Sequence, residues 1–369
     1  MLVHYARLPA RICNSARLES ATVVCGGGAG DQIMKQNNLF SGVGLVHVFN
    51  RLYLAIFHQV QKKCQLGIRN RAGHLTAYLV CILGILLRSA AFGAEPSPEF
   101  SINEDAGCGG WIGGGWLTVK LRLETGEEVV FTVDTGSPIT VLDDSLKSKM
   151  GKQFGTMPVD LVGSKWQPAG IYAAPKLFLG DIPLFTTNDY VLCTPLKKKF
   201  KKHSQGILGM DCLQDYCIQL DFVAGKMRFL DSAGTNAAAW GKMYPLVLSR
   251  SGPRQEFLQP LIHQAGFFGN NTNLVIDTGC HADGLVSKGA TGQVIGAWLL
   301  SFFGCGRFHS GVWEGERYSN IQVAPIDHVN VLGLRFLARH LVTLDFPNQK
   351  LYLKQTSVAP LKLRKPRPS

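Results

Sequence analysis

The chain has 369 residues, 38 Lys+Arg against 26 Asp+Glu, a formal net charge of +12 and 46% hydrophobic residues. Such a basic balance suggests a nucleic-acid partner, but its distribution argues against one: residues 1–94 hold 10 basic and 2 acidic groups, and residues 95–369 hold 28 and 24. The nearly balanced rear has room for two domains. Neither the ten cysteines nor the ten histidines fall at zinc-binding spacings, so no metal and no cofactor is expected.

Residues 1–68 show no sustained period and read as a leader from an over-extended start, with translation beginning near Leu66. Residues 69–94 combine a basic flank, an uncharged apolar run from Ala77 to Leu87 and small residues before a Pro-rich stretch. Eleven residues make about 16 Å of helix, too short for a bilayer core of about 30 Å. The segment therefore reads as a signal peptide cleaved between Ala91 and Glu95. An uncleaved signal anchor is the alternative, and membrane contact is expected only then. Either reading places residues 95–369 outside the cytoplasm: secreted, periplasmic or anchored facing outward. Six cysteines lie beyond the signal: Cys108, Cys193, Cys212, Cys217, Cys280 and Cys305. An oxidising compartment permits disulfides, but Cys212 and Cys217 lie in apolar segments that favour buried thiols, and the sequence assigns no pairing.

From residue 110 the pattern becomes that of strands. "GWLTVKLRLETGEEVVFTVDTG" (115–136) alternates apolar and polar residues about a turn at Glu124-Thr125-Gly126, which predicts a β-hairpin. A second hairpin is predicted at 176–193, turning at Gly180-Asp181. The basic run "KKKFKK" (197–202) reads as a solvated loop. Residues 231–242, small and polar, have the composition of a linker between domains 110–230 and 243–355. Residues 356–369 form a basic, Pro-containing tail.

Two stretches stand out. "FTVDTGSPIT" (131–140) and "NLVIDTGCHA" (273–282) each deliver an Asp-Thr-Gly from an apolar strand. One copy would be an unremarked turn. Downstream of each, however, lie "ILGMDCLQDYCIQLDFVAGKMRFL" (207–230) and "VLGLRFLARHLVTLDFPNQKLYL" (331–353). At an offset of 124 the pairs Leu208/Leu332, Gly209/Gly333, Leu213/Leu337, Leu220/Leu344, Asp221/Asp345, Phe222/Phe346 and Lys226/Lys350 are identical. This is an internal repeat of domain size.

Doubled and in this order, the motifs resemble those of the retropepsin-like aspartic proteases over about residues 115–355. The resemblance implies an all-β fold of two retropepsin-like lobes, a pseudo-two-fold bilobal β-barrel protein acting as a monomeric internal pseudo-dimer. It further implies a polypeptide substrate and a catalytic pair, Asp134 and Asp277. Two carboxylates about 3 Å apart cannot both ionise, so they share a proton and a water, one serving as base and the other as acid. Thr135 and Thr278 would cross-link the two loops through their hydroxyls. Gly136 and Gly279 would permit the tight turn, and the Ser137 hydroxyl would support the outer oxygen of Asp134.

Cys280 stands where the second loop would normally offer Ser, Thr or Ala, and as a weak donor would support Asp277 less well. A nucleophilic Cys280 served by His281 is the rival, disfavoured because adjacent strand positions face opposite ways. The interval from the aspartate to the Leu-Gly glycine is 75 residues in the first copy and 56 in the second. The resemblance places the family's substrate flap where the first copy is longer, around 161–174, with Trp166 or Tyr172 at its tip, and implies a reduced flap in the second copy around 304–323. The expected activity is an exported aspartic endopeptidase. The alternative is a catalytically inactive peptide-binding module of the same fold.

Overall fold

Alternation over Thr118–Leu123 and Glu128–Val133 buries one face of each strand and pairs them antiparallel, Arg122 opposite Glu128. Gly126 closes the turn at φ 86°, with nothing within 4 Å of a side chain placed there. Glycine is needed at this turn for its conformation, not for space. The structure is a computed structural model and describes residues 3–5, 97–108, 115–161, 166–196, 204–231, 237–251, 257–267, 270–287, 306–326 and 329–362. Contacts divide the chain into one unit of Met1–Leu18 with Pro96–Ser369, and another of Glu19–Glu95. The second unit, and the apolar segment within it, lies outside the described residues. So do the "KKKFKK" run and Cys305. Among the described residues no helix is long and apolar enough to cross a membrane.

Among the described residues strands dominate and form two sheets, one of ten strands and one of twelve. The expected barrel form needs correction, since neither sheet closes on itself. The first ends on Val3–Tyr5 at one edge and Ile182–Leu184 at the other; the second ends on Gly306–Trp313 and Glu99–Ser101. The hairpin at Gly180-Asp181 pairs Leu177–Leu179 with Ile182–Leu184. Of the stretch read as a linker, Ala237–Trp240 forms a 3-10 turn that buries Trp240.

The repeat is visible in the pairings. Gly206–Leu208 runs parallel to the strand that delivers Asp134, and Asn330–Gly333 runs parallel to the strand that delivers Asp277. Each Leu-Gly opens a four-residue helix, Met210–Leu213 or Leu334–Leu337, buried at every position. The copies then meet strand to strand. Cys217–Asp221 pairs antiparallel with His340–Asp345, centred on Gln219 opposite Thr343. Those two positions are equivalent in the repeat, so the pairing is reciprocal about its midpoint. The Gln219 side-chain amide donates to the Thr343 hydroxyl at 3.0 Å across this seam. Beneath it, Leu213, Ile218, Leu220, Leu337, Leu344 and Phe346 belong to one buried cluster. Each such side chain contributes about 1.5–3 kcal/mol, which fastens the two aspartate loops to a common base.

Candidate functional site

Each aspartate ends a buried strand and turns back on its own loop. Asp134 Oδ1 accepts from the N–H groups of Gly136 and Ser137 at 3.0 and 3.1 Å, and Asp277 Oδ1 accepts from Gly279 N–H at 2.7 Å. Both aspartates have no solvent exposure. The loops are tied reciprocally. The Thr135 hydroxyl donates to the Ile276 carbonyl at 2.6 Å, and the Thr278 hydroxyl donates to the Val133 carbonyl at 2.8 Å. Each threonine N–H donates to the other's hydroxyl at 3.1 Å. Four direct hydrogen bonds thus join two loops more than a hundred residues apart in sequence.

That clamp sets the spacing of the carboxyls. A Cβ at Gly136 would stand 2.6 Å from both carboxylate oxygens of Asp277. What demands glycine at 136 is therefore the approach of Asp277, where the sequence had suggested the turn itself. Burial first, and the Asp277 carboxylate next, with which it shares a hydrogen bond, push the Asp134 pKa up to about 8. A buried acid beside a second carboxyl keeps its proton at a pH where an ordinary aspartate has lost it.

The loops also rest on the two Leu-Gly elements in equivalent ways. Met210 N–H donates to the Ser137 carbonyl at 2.8 Å, and Leu334 N–H to the Cys280 carbonyl at 2.7 Å. A Cβ on Gly209 would lie 2.6 Å from the Ile139 carbonyl carbon, and one on Gly333 would lie 2.9 Å from Cys280 Sγ. Only glycine lets each loop pass so closely over the start of its helix.

Two expectations need correction. The Ser137 hydroxyl donates to the Ile139 carbonyl at 2.8 Å, while its backbone N–H serves Asp134. The short Ile139 link stiffens the loop instead of supporting the outer carboxylate oxygen. Tyr172 is not at a flap tip. It sits buried at the base of the hairpin Gln153–Leu161/Gln167–Ala173, its hydroxyl donating to Gln153 Oε1 at 2.9 Å and its ring 5.8 Å from the Lys147 ammonium. Trp166 does border the hairpin end, 54% exposed, beside residues 162–165, which lie outside the described residues. In the second copy Gly306–Trp313 and Glu316–Ile326 form a long hairpin turned at Glu314-Gly315. Trp313 anchors it in the core against Tyr244 and Phe336. Residues 288–305, in front of it, lie outside the described residues.

Cys280 is buried, and its Sγ lies against Gly333. Burial and the charge of Asp277 push its pKa up to about 12. At neutral pH it is a thiol, whereas a nucleophile needs the thiolate. The His281 ring packs on Trp116, with 3.5 Å between ring centroids. Cys193, Cys212, Cys217 and Cys280 are free thiols, and no group of His, Cys, Asp or Glu among the described residues is arranged to hold a metal ion.

Two features escaped the sequence reading. Asp283 is buried between Arg335 and Arg339, and Trp116 and Gln259 reach across to the opposite aspartate loops. The signal for the latter was present: each stands eighteen residues before its aspartate. In comparisons with known proteins, no family model and no curated relative matches the chain.

The threonine clamp yields a direct expectation. Thr278→Val, nearly isosteric, removes the partner of the Thr135 N–H and the donor to the Val133 carbonyl. Leaving a buried group unpaired costs about 1–3 kcal/mol, so urea unfolding should show a loss of about 2 kcal/mol or more, matched by Thr135→Val. A change below about 0.5 kcal/mol in both would show that the clamp contributes little to holding the loops.

Proposed function

We propose that the chain is an exported, single-chain, two-lobed aspartic endopeptidase resembling the retropepsin-like proteases, with Asp134 and Asp277 as the catalytic pair. The observation that carries the reading is the reciprocal clamp: equivalent loops from the two copies hold two buried carboxyls in contact, one of them with a raised pKa. A structural carboxyl is normally paired with a cation or exposed to water. Two buried against each other store a proton at a cost in stability, which fits acid–base work on a water molecule.

In this mechanism the pair shares one proton. The ionised member takes a proton from the water as it adds to the peptide carbonyl, and the protonated member gives its proton to the carbonyl oxygen. Collapse of the tetrahedral diol breaks the C–N bond: one member of the pair protonates the leaving nitrogen while the other takes the proton of a diol hydroxyl, which restores the single shared proton. The loop N–H groups of Gly136, Ser137 and Gly279 hold the carboxylates in position throughout. The raised Asp134 pKa implies activity from acid to neutral pH, falling as the pH passes about 8 and the shared proton is lost.

The test is incubation of the processed protein with a denatured-protein or peptide library from pH 3 to 8, with and without pepstatin. Cleavage abolished by pepstatin supports the reading. Binding of peptides without any cleavage would favour the inactive module. Export is checked by N-terminal sequencing of the mature protein. A start near Glu95 is expected, and a cytoplasmic protein that retains Met1 would contradict it.

A further inference from the structure

The basic tail begins as a strap. After the last strand, Lys350–Gln355, residues 356–358 lie against Arg339, which joins the Leu334–Leu337 helix to the seam strand His340–Asp345. The Arg339 carbonyl accepts from the Thr356 and Ser357 N–H groups at 2.8 and 3.1 Å and from the Thr356 hydroxyl at 2.9 Å. The Val358 carbonyl accepts from Arg339 Nη1 at 3.1 Å and from the Ser319 N–H at 3.0 Å. Beyond it, Leu361 packs against the core. Backbone and side chain of one arginine are thus held by the same short piece of tail.

That arginine works inward. It has no solvent exposure, and its Nη2 donates to Asp283 Oδ1 at 2.6 Å. Asp283 lies six residues beyond Asp277, on the stretch that leaves the aspartate loop. Its N–H donates to the Gln322 carbonyl at 2.9 Å, and its carbonyl accepts the Gly333 N–H at 3.0 Å. A guanidinium is a planar fork whose N–H groups point in fixed directions. With one arm on the Val358 carbonyl and the other on Asp283, losing the tail frees the fork to turn and to shift the carboxylate it holds. The first copy carries the exposed Asp215 at the position of Arg339, so the device bears on the Asp277 loop.

We infer that residues 356–358 are a positioning element for the carboxyl pair: by orienting Arg339 on Asp283 they set how closely the Asp277 loop approaches Asp134. The positioning role rests on the aspartic peptidase reading and deepens it.

The experiment compares the processed protein with a chain ending at Gln355, a control ending at Lys362, Arg339→Lys, and Arg339→Lys in the chain ending at Gln355. All are assayed on one cleavable peptide, well below their unfolding temperatures. Ending at Gln355 should lower kcat on the order of a hundredfold with KM little changed, the cost of moving a catalytic group by about 1 Å. Ending at Lys362 should leave kcat unchanged. Lysine keeps a charge for Asp283 but loses the fork, so Arg339→Lys should lower kcat in the same way. The combination should be no worse than the chain ending at Gln355, since both changes cut one connection. A tail that merely stabilised the fold would lower Tm and leave kcat of the folded enzyme alone. Unfolding followed against pH gives a reading independent of activity. A loosened Asp277 loop relieves Asp134 of burial and of its charged neighbour. The decline in stability that ends near pH 8 in the wild type should then end at least about one unit lower. Wild-type kcat with an unmoved pH profile in the chain ending at Gln355 would overturn the inference, and so would losses that multiply in the combination. Should the shortened chain not fold, Arg339→Lys decides by the same two readings. A wild type that cleaves no peptide would end the peptidase reading, while the pH profile of unfolding still decides the positioning role.

Discussion

Asp134→Asn is expected to abolish peptide hydrolysis, by at least about four orders of magnitude in kcat, while making the folded protein more stable at neutral and alkaline pH. The two effects have one cause. In the folded protein the Asp134 pKa lies well above its unfolded value, raised by burial and then by Asp277. The folded state therefore binds a proton that the unfolded chain releases, and stability falls as pH rises from the unfolded pKa of about 4 through about 8. Asparagine keeps the shape and accepts the same Gly136 and Ser137 N–H groups, but has no proton to lose. At pH 8 the variant should gain on the order of 2 kcal/mol, or about 4–8 °C in Tm, and the gain should shrink toward pH 4. Because the carboxyls act as a unit, Asp134→Asn combined with Asp277→Asn should be no less active than either alone. An inactive Asp134→Asn protein that is destabilised at every pH would mean that the residue is structural.

The second large effect lies away from the pair. Asp283 is fully buried and meets both Arg335 and Arg339, the latter at 2.6 Å, and also accepts the Gln322 N–H at 2.7 Å. Arg339 itself has no exposure and donates further to the Ser319 and Val358 carbonyls. Asp283→Ala would leave two guanidinium groups buried without their counter-charge, at about 3–5 kcal/mol. Urea unfolding should register that loss or show that the protein no longer folds. Replacing all three, Asp283→Leu with Arg335→Met and Arg339→Leu, should recover most of it, since apolar residues of similar volume commonly match a buried ion group. A single-variant loss below about 1 kcal/mol would show that solvent reaches the cluster. The first copy solves the same position differently: the Thr140 hydroxyl donates to Asp211 at 2.7 Å and also accepts the Gly209 N–H.

These contrasts mark what could be read from the residues. Alternation and turn chemistry are local, so the hairpins at Gly126 and Gly180 were legible. The 124-residue offset further equates Gln219 with Thr343, the centre of the seam between copies. What the sequence could not carry was contact between segments far apart in the chain. An arginine reads as a surface residue until Asp283 is found beside it, and Tyr172 reads as an exposed tip until its strand register puts it opposite Gln153. The Ser137 hydroxyl had two acceptors within reach of its sequence position, and loop geometry chose the Ile139 carbonyl. Sheet closure failed as an expectation for a similar reason: periodicity gives strands, but whether the last pairs with the first depends on twist and register summed over the whole sheet.

The measurement that bears most directly on the proposed chemistry compares Asp277→Asn with Cys280→Ser on one cleavable peptide under identical conditions. Cys280 sits three residues from Asp277 in the same loop, so both changes disturb the same structure, yet the thiol is buried and protonated. An aspartic mechanism predicts that Asp277→Asn falls to the background rate while Cys280→Ser stays within about tenfold of wild type, since serine fills the same space and donates a better hydrogen bond. A Cys280→Ser enzyme without activity, beside an Asp277→Asn enzyme that still cleaves, would contradict the aspartate pair and make the cysteine the nucleophile.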